Sequence, residues 1–171
     1  MFAALVFFGL FFVPDPVGDL VDVAAENCRT SRGQADRRVL RAMLNEEIAA
    51  GWPAKYRGAV LAAACHESGY NARAEGDCRH ERGRKVCKAV GVLQLWPWAK
   101  IDRRDPVASA RLWTRQIAKT VKKAKRHKCK RPWITAWNWV ATGPFGYRCD
   151  RVPNHVRTLR RFQRLWRKRK N

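Results

Sequence analysis

Carboxylates are scarce in this chain. Fourteen Asp and Glu residues stand against 36 Lys and Arg among 171 residues, a formal charge of +22. A chain so unbalanced has no neutral surface, and its partners are expected to be anionic: peptidoglycan with its attached polymers, lipopolysaccharide, an acidic bilayer or nucleic acid. Long apolar runs are missing as well. The uncharged stretch from Phe2 to Val13 spans twelve residues, short of the roughly 20 that cross a bilayer as a helix. No pair among Cys65, His66, Cys78, His80 and Cys87 has zinc-finger or zinc-ribbon spacing, which argues against a structural zinc site. No metal and no cofactor is expected. Internal repeats and long low-complexity linkers are absent too, so the length points to one domain with its own core.

The charge is unevenly placed. Residues 1–27 hold four acids and no base, whereas residues 119–171 hold eighteen Lys or Arg and one acid, Asp150. Phe2–Val13 fits the apolar region of a signal peptide, and Val23-Ala24-Ala25 offers small residues for cleavage before Glu26. No Lys or Arg precedes the run, however, and Pro14 to Ala25 is long and acidic for a cleavage region. An uncleaved membrane anchor, or a start truncated in its basic region, fits as well. The expected division is a signal-like or anchor segment over 1–25 and one domain over 26–171, exported to the periplasm, the envelope or the exterior. The six cysteines, Cys28, Cys65, Cys78, Cys87, Cys129 and Cys149, point to disulfides in an oxidising compartment. Local loops suggest Cys78–Cys87 and Cys129–Cys149, which leaves Cys28–Cys65, but the sequence does not decide among the pairings. Free thiols in a cytosolic protein remain the rival should Phe2–Val13 not direct export.

Periodicity predicts a mainly α chain. Val39, Leu40, Met43, Leu44 and Ile48 mark one face of a helix over 34–50, which Gly51-Trp52-Pro53 ends. A second helix is expected over 54–68, with Gly69 in the left-handed position after it. Residues 71–90 are polar and glycine-containing and read as a loop or small β-hairpin pinned by Cys78 and Cys87. Asp105-Pro106 is a helix start, with a capping acid and proline in the first turn. Val107, Ala110, Trp113, Ile117, Val121 and Ala124 form its apolar stripe. Pro132 opens a short helix that Gly143-Pro144 closes, and a last basic helix begins near Pro153, with Val156, Leu159, Phe162 and Leu165 or Trp166 on one face; its Lys168-Arg-Lys170 end adds charge but no apolar contact and is expected to fray.

Three segments carry chemistry. Ala62-Ala-Ala-Cys-His-Glu-Ser-Gly69 ends an apolar helical run on Glu67 and Ser68. Gly91-Val-Leu-Gln94 follows the hairpin region, and Ala136-Trp137-Asn138 lies in the helix after Pro132. In order, spacing and setting these resemble the motifs of the SLT-type lytic transglycosylases, relatives of goose-type lysozyme: Glu-Ser, Gly-Leu-Met-Gln and Ala-Tyr-Asn. The resemblance covers about residues 55–145. It implies a lysozyme-like α+β domain, mainly α, with its small β element near residues 71–95. It also implies cleavage of the β-1,4 bond between MurNAc and GlcNAc in peptidoglycan glycan strands, by a monomer that needs no nucleic acid. Glu67 takes the place of the catalytic acid; Ser68, Gln94 and Asn138 take places that position substrate and carboxyl. Two motif residues depart from the family: Leu93 stands for methionine, an apolar residue of similar volume, and Trp137 stands for tyrosine. An indole only donates a hydrogen bond, so a hydroxyl's role would pass to Tyr70, Tyr147 or a water. Trp96, just past Gln94, is a candidate glycan platform, while Trp139 and His66 read as structural.

The chemistry agrees with one glutamate. Breaking a glycosidic bond needs a proton donor to the leaving oxygen, and a carboxylic acid serves near neutral pH when its pKa is raised. The apolar run before Glu67 and its place in a last helical turn are both expected to raise it. Ordinary glycosidases need a second carboxylate; Glu75, Asp77, Glu81 and Asp102 are available, but none sits in a motif. By the resemblance, a transglycosylase does without one, because the sugar's 6-hydroxyl attacks the anomeric carbon and leaves a 1,6-anhydro product. The alternatives are a hydrolysing lysozyme of the goose type and a non-catalytic binder of nucleic acid or membrane built on the basic helices. The basic C-terminal region is expected to hold an enzyme on anionic wall polymers or a membrane surface.

Overall fold

Helix starts written in the sequence lay down the larger elements. Asp105 caps one helix by accepting from the amides of Val107 (2.8 Å) and Ala108 (3.1 Å), and Asp36 caps another by accepting from Arg38 N at 2.8 Å. The computed structural model describes residues 16–28, 35–142 and 148–170. In chain order these form α1 (Pro16–Asn27), α2 (Arg37–Ala49), α3 (Ala59–Ser68), β1 (Glu75–Glu81), β2 (Arg84–Val90), α4 (Pro106–Arg126), α5 (Pro132–Thr142) and α6 (His155–Lys170). The expected mainly α chain with a small β element is what is found. The strands pair antiparallel, with Cys78 opposite Cys87. The signal-like run Phe2–Val13, the helix-closing Gly143-Pro144 and Tyr147 lie outside the described residues.

α3 is the central helix. Every residue from Ala59 to Cys65 is buried, because α1, α2 and α6 pack around it. α4 rests on α2, and α5 rests on α4. Four tryptophans fill the space among α2, α4 and α5: Trp52 stacks on Trp113 at 5.7 Å between centroids and meets Trp133 at 5.2 Å and Trp137 at 5.8 Å. Three disulfides join Cys28 to Cys65, Cys78 to Cys87 and Cys129 to Cys149, the pairing that the local loops suggest. They are compatible with an exported protein in an oxidising location. No helix among the described residues is long and apolar enough to cross a membrane.

Four expectations are corrected. Residues 16–25, grouped in the sequence with the signal-like segment, belong to the domain: Leu20, Val21, Val23 and Ala24 of α1 are buried at 2 % exposure or less. Cleavage after Ala25 would cut α1 and strip about 1.5–3 kcal/mol per large apolar side chain from the core. The helix expected over 54–68 is two pieces, a 3₁₀ turn over Ala54–Tyr56 and α3, separated at Gly58, whose φ is 89°. On α2 the inward residue is Glu47, not Ile48: Leu40, Met43, Leu44 and Glu47 are buried, and Ile48 is exposed. Finally, the Lys168-Arg-Lys170 end, expected to fray for lack of contacts, is helical. Lys170 lies over the Trp166 ring at 4.5 Å and Arg169 pairs with Glu26.

Candidate active site

The last turn of α3 delivers Glu67 to the surface and ties itself down beside it. Ser68 Oγ donates within 3.1 Å of Ala64 O and 2.9 Å of Val92 O, so the first motif is bonded to the turn that carries the second. Gly69 follows in the left-handed conformation, φ 62°. The 91–95 turn is fixed by close backbone approaches. A side chain at Gly91 would meet Arg103 O at 1.8 Å, and the Arg103 guanidinium donates to Lys88 O (2.7 Å) and Leu95 O (3.0 Å). Leu93 is core, 5 % exposed. Gln94, with φ 48°, folds its amide back: Nε2 donates to Gly91 O at 2.9 Å, and Oε1 fills the space beside Gly76.

Glu67 opens into a cleft of about 200 Å³ that it shares with His66, Asn138, Thr142, Arg151 and His155. Asn138 is 1 % exposed at its wall. Among the described residues lining this cleft Glu67 is the only carboxylate. Its side chain is 33 % exposed, and Oε1 lies 2.5 Å from Nε2 of His155. His155, buried at the start of α6, receives a hydrogen bond on Nδ1 from Trp137 Nε1 at 3.1 Å. The His66 ring stands 4.9 Å from the His155 ring. Burial and the neighbouring His155 hold His66 below the ordinary histidine range, against an opposing pull from Glu67.

Glu67 and Asn138 therefore line one cleft, whereas other sequence candidates stand elsewhere. Gln94 is not among the residues lining the cleft. Trp137 is fully buried rather than facing substrate. Tyr70 is buried too, with its hydroxyl 3.4 Å from Ala24 O, and burial pushes its phenol pKa upward; it cannot serve the cleft as a hydroxyl donor. Trp96 is 44 % exposed, with the Lys88 ammonium 5.5 Å from its ring centroid. Trp139 packs with Ala124 and Cys129, away from the main core. Of the other acids weighed, Glu75 borders a concavity of about 380 Å³, but Lys85 and Arg104 pair with it on both sides.

Two residues escaped the sequence reading. His155 is 88 positions from Glu67, in a helix marked only by basic and apolar periodicity. Glu47 is fully buried, and its carboxylate accepts from the amides of Gly58 (2.9 Å) and Val60 (2.8 Å), capping α3 from another helix. Its heptad-like spacing after Leu40, Met43 and Leu44 was the available signal. Ligand atoms of His66, Glu67 and His155 lie within 4.8 Å of one another. A metal-bound imidazole passes its other N–H to an acceptor, yet His155 Nδ1 faces an indole that only donates. The donor set is thus wrong for a metal held through His155 Nε2. No protein-family model, curated protein or solved structure matches the chain.

Proposed function

We propose that this chain is a peptidoglycan-cleaving lytic transglycosylase with a lysozyme-like fold, acting on the MurNAc–GlcNAc β-1,4 bond with Glu67 as acid and then base. One observation carries the proposal: the only carboxylate among the described residues lining the cleft, at the exposed end of a buried helix, faces the same space as Asn138. Further support comes from the Ser68–Val92 hydrogen bond that joins the Glu-Ser and Gln94 segments. In the first step protonated Glu67 gives its proton to the glycosidic oxygen as the bond to the anomeric carbon breaks. In the second, the sugar's 6-hydroxyl attacks that carbon and returns a proton to the carboxylate, so no water is consumed and no second acid is needed. Trp96 and Trp98, 44 % and 55 % exposed, offer ring faces for sugars just past the Gln94 turn. Exposed Arg157, Arg160, Arg164 and Arg167 on α6 suit anionic wall polymers.

The test is Glu67→Gln, nearly isosteric, assayed by muropeptide release from purified peptidoglycan. Release should fall by roughly 10²–10⁴-fold with an unchanged circular dichroism spectrum. Wild-type release by the variant would remove Glu67 from the chemistry. Product ends separate the two reactions: 1,6-anhydro termini for a transglycosylase, reducing termini for a hydrolase.

A further inference from the structure

We propose that Trp137 and His155 form a fixed hydrogen-bond relay that orients the Glu67 carboxyl and keeps a cation from forming beside it. This rests on Glu67 being the proton donor. The indole Nε1 has one hydrogen and accepts nothing. Its hydrogen is donated to Nδ1 of His155, 3.1 Å away, so the ring's own proton sits on Nε2. That N–H points at Glu67 Oε1, 2.5 Å away. One carboxyl oxygen is thereby held, and the other is left to carry the proton that substrate needs. A second proton on the imidazole would have to enter at Nδ1, directly against the indole hydrogen, and would break the Trp137 bond.

The relay has little freedom to relax. Trp137 is fully buried and wedged edge-on against Trp52 and Trp113, each 5.8 Å away, and His155 is 5 % exposed. Indole is thus suited to this place in a way a phenol is not, since a hydroxyl can turn round and accept, allowing the opposite tautomer. The ionisable and charged groups around the His155 ring are Glu67 and His66 from α3 and Arg151 from the segment before α6; α5 contributes the neutral indole. Without Trp137, either nitrogen of the His155 ring could take the proton, and Glu67 Oε1 would lose its fixed donor. Both residues act through Glu67 and are positioning residues.

The direct test is ¹⁵N NMR of the full chain with labelled histidine. His155 should show a protonated Nε2 and a bare Nδ1 at neutral pH. A protonated Nδ1 overturns the relay whatever the activity. The second test is kinetic. Trp137→Phe should lower muropeptide release at neutral pH by about tenfold or more and move its pH profile. His155→Gln, which can still donate but cannot become a cation, should retain more activity than His155→Ala, for which roughly a hundredfold loss is expected from misplacement. In the His155→Gln background, Trp137→Phe should no longer move the pH profile; equal shifts in both backgrounds would mean Trp137 acts only by packing, and the relay falls. Should Trp137→Phe fail to fold, the tautomer in the wild-type chain decides. An active Glu67→Gln enzyme with the expected tautomer would instead overturn the transglycosylase proposal and leave the hydrogen-bond geometry standing.

Discussion

Each end of α3 meets a carboxylate, and the two are used in opposite ways. At the N-terminal end Glu47, fully buried, accepts from two amides that have no partner within the helix. At the C-terminal end Glu67 is a third exposed and faces an open cleft. Peptide dipoles favour a negative charge at the first end and oppose it at the second. A carboxylate placed with the dipole and sealed from water holds the fold; one placed against it at the surface lies open to the cleft. Burial complicates the first case, since it pushes Glu47 up to about 7 despite the amides of Val60 and Gly58 that pull it down.

Exchanging the roles breaks the comparison most sharply. Glu67→Gln should remove activity, by roughly 10²–10⁴-fold, and leave the urea midpoint almost unmoved. Glu47→Ala should do the reverse, costing about 3–5 kcal/mol through two orphaned amides and a cavity, while each molecule still folded retains its turnover. Equal loss of activity per folded molecule in both would erase the distinction between the two ends.

The disulfides sharpen the same contrast at a smaller scale. Cys28–Cys65 links α1 to α3 across 37 residues and Cys78–Cys87 closes 9. The chain-entropy relation gives about 4 kcal/mol for the first and about 2.5 kcal/mol for the second. Paired serine variants should rank in that order by denaturation. The Cys78–Cys87 pair lies in a largely exposed hairpin, so its loss should spare the cooperative unfolding of the helices.

Acidity probes Glu47 once a variant at that position serves as the control. Its folded value of about 7 lies above the ordinary 4.5. Between those values the folded chain keeps a proton that the unfolded chain has released. The stability from Glu47 is thus complete below pH 4.5 and is lost as pH rises towards 7. Wild-type stability measured against a Glu47→Gln control should show this decline; a difference that is flat over that window would place the Glu47 value elsewhere. The smallest effect is expected at the tail. Removing residues 168–171 deletes the exposed Arg169–Glu26 pair, worth at most about 1 kcal/mol. Binding to insoluble wall should weaken at low salt, and turnover of a soluble uncharged oligosaccharide should hardly change. Binding indifferent to salt would exclude docking by charge.

What was legible in the sequence is local. Asp105-Pro106 starts α4 because the cap accepts from the amides of Val107 and Ala108 and the proline sets the first helical φ. The apolar stripe from Ala110 to Ala124 and the turn chemistry between β1 and β2 work over similar distances. The exposed end of α3 was readable as well, since an apolar run closing on Glu-Ser-Gly places a carboxylate at a helix terminus whatever surrounds it. Excess positive charge fixed the character of the surface for the same reason: it is a sum over residues and needs no fold.

Packing alone decided the rest. Periodicity on α2 admits either Glu47 or Ile48 as the inward residue, and the unpaired amides at Gly58 and Val60, 11 and 13 positions away, select the carboxylate. Trp137 reads as a misplaced tyrosine until α6 sets His155 against it. The pairing of His155 with Glu67 spans 88 positions, and no local propensity acts over that distance. A hydrogen bond is specified by the positions of both partners, and those positions exist only once α3, α5 and α6 have closed around one core.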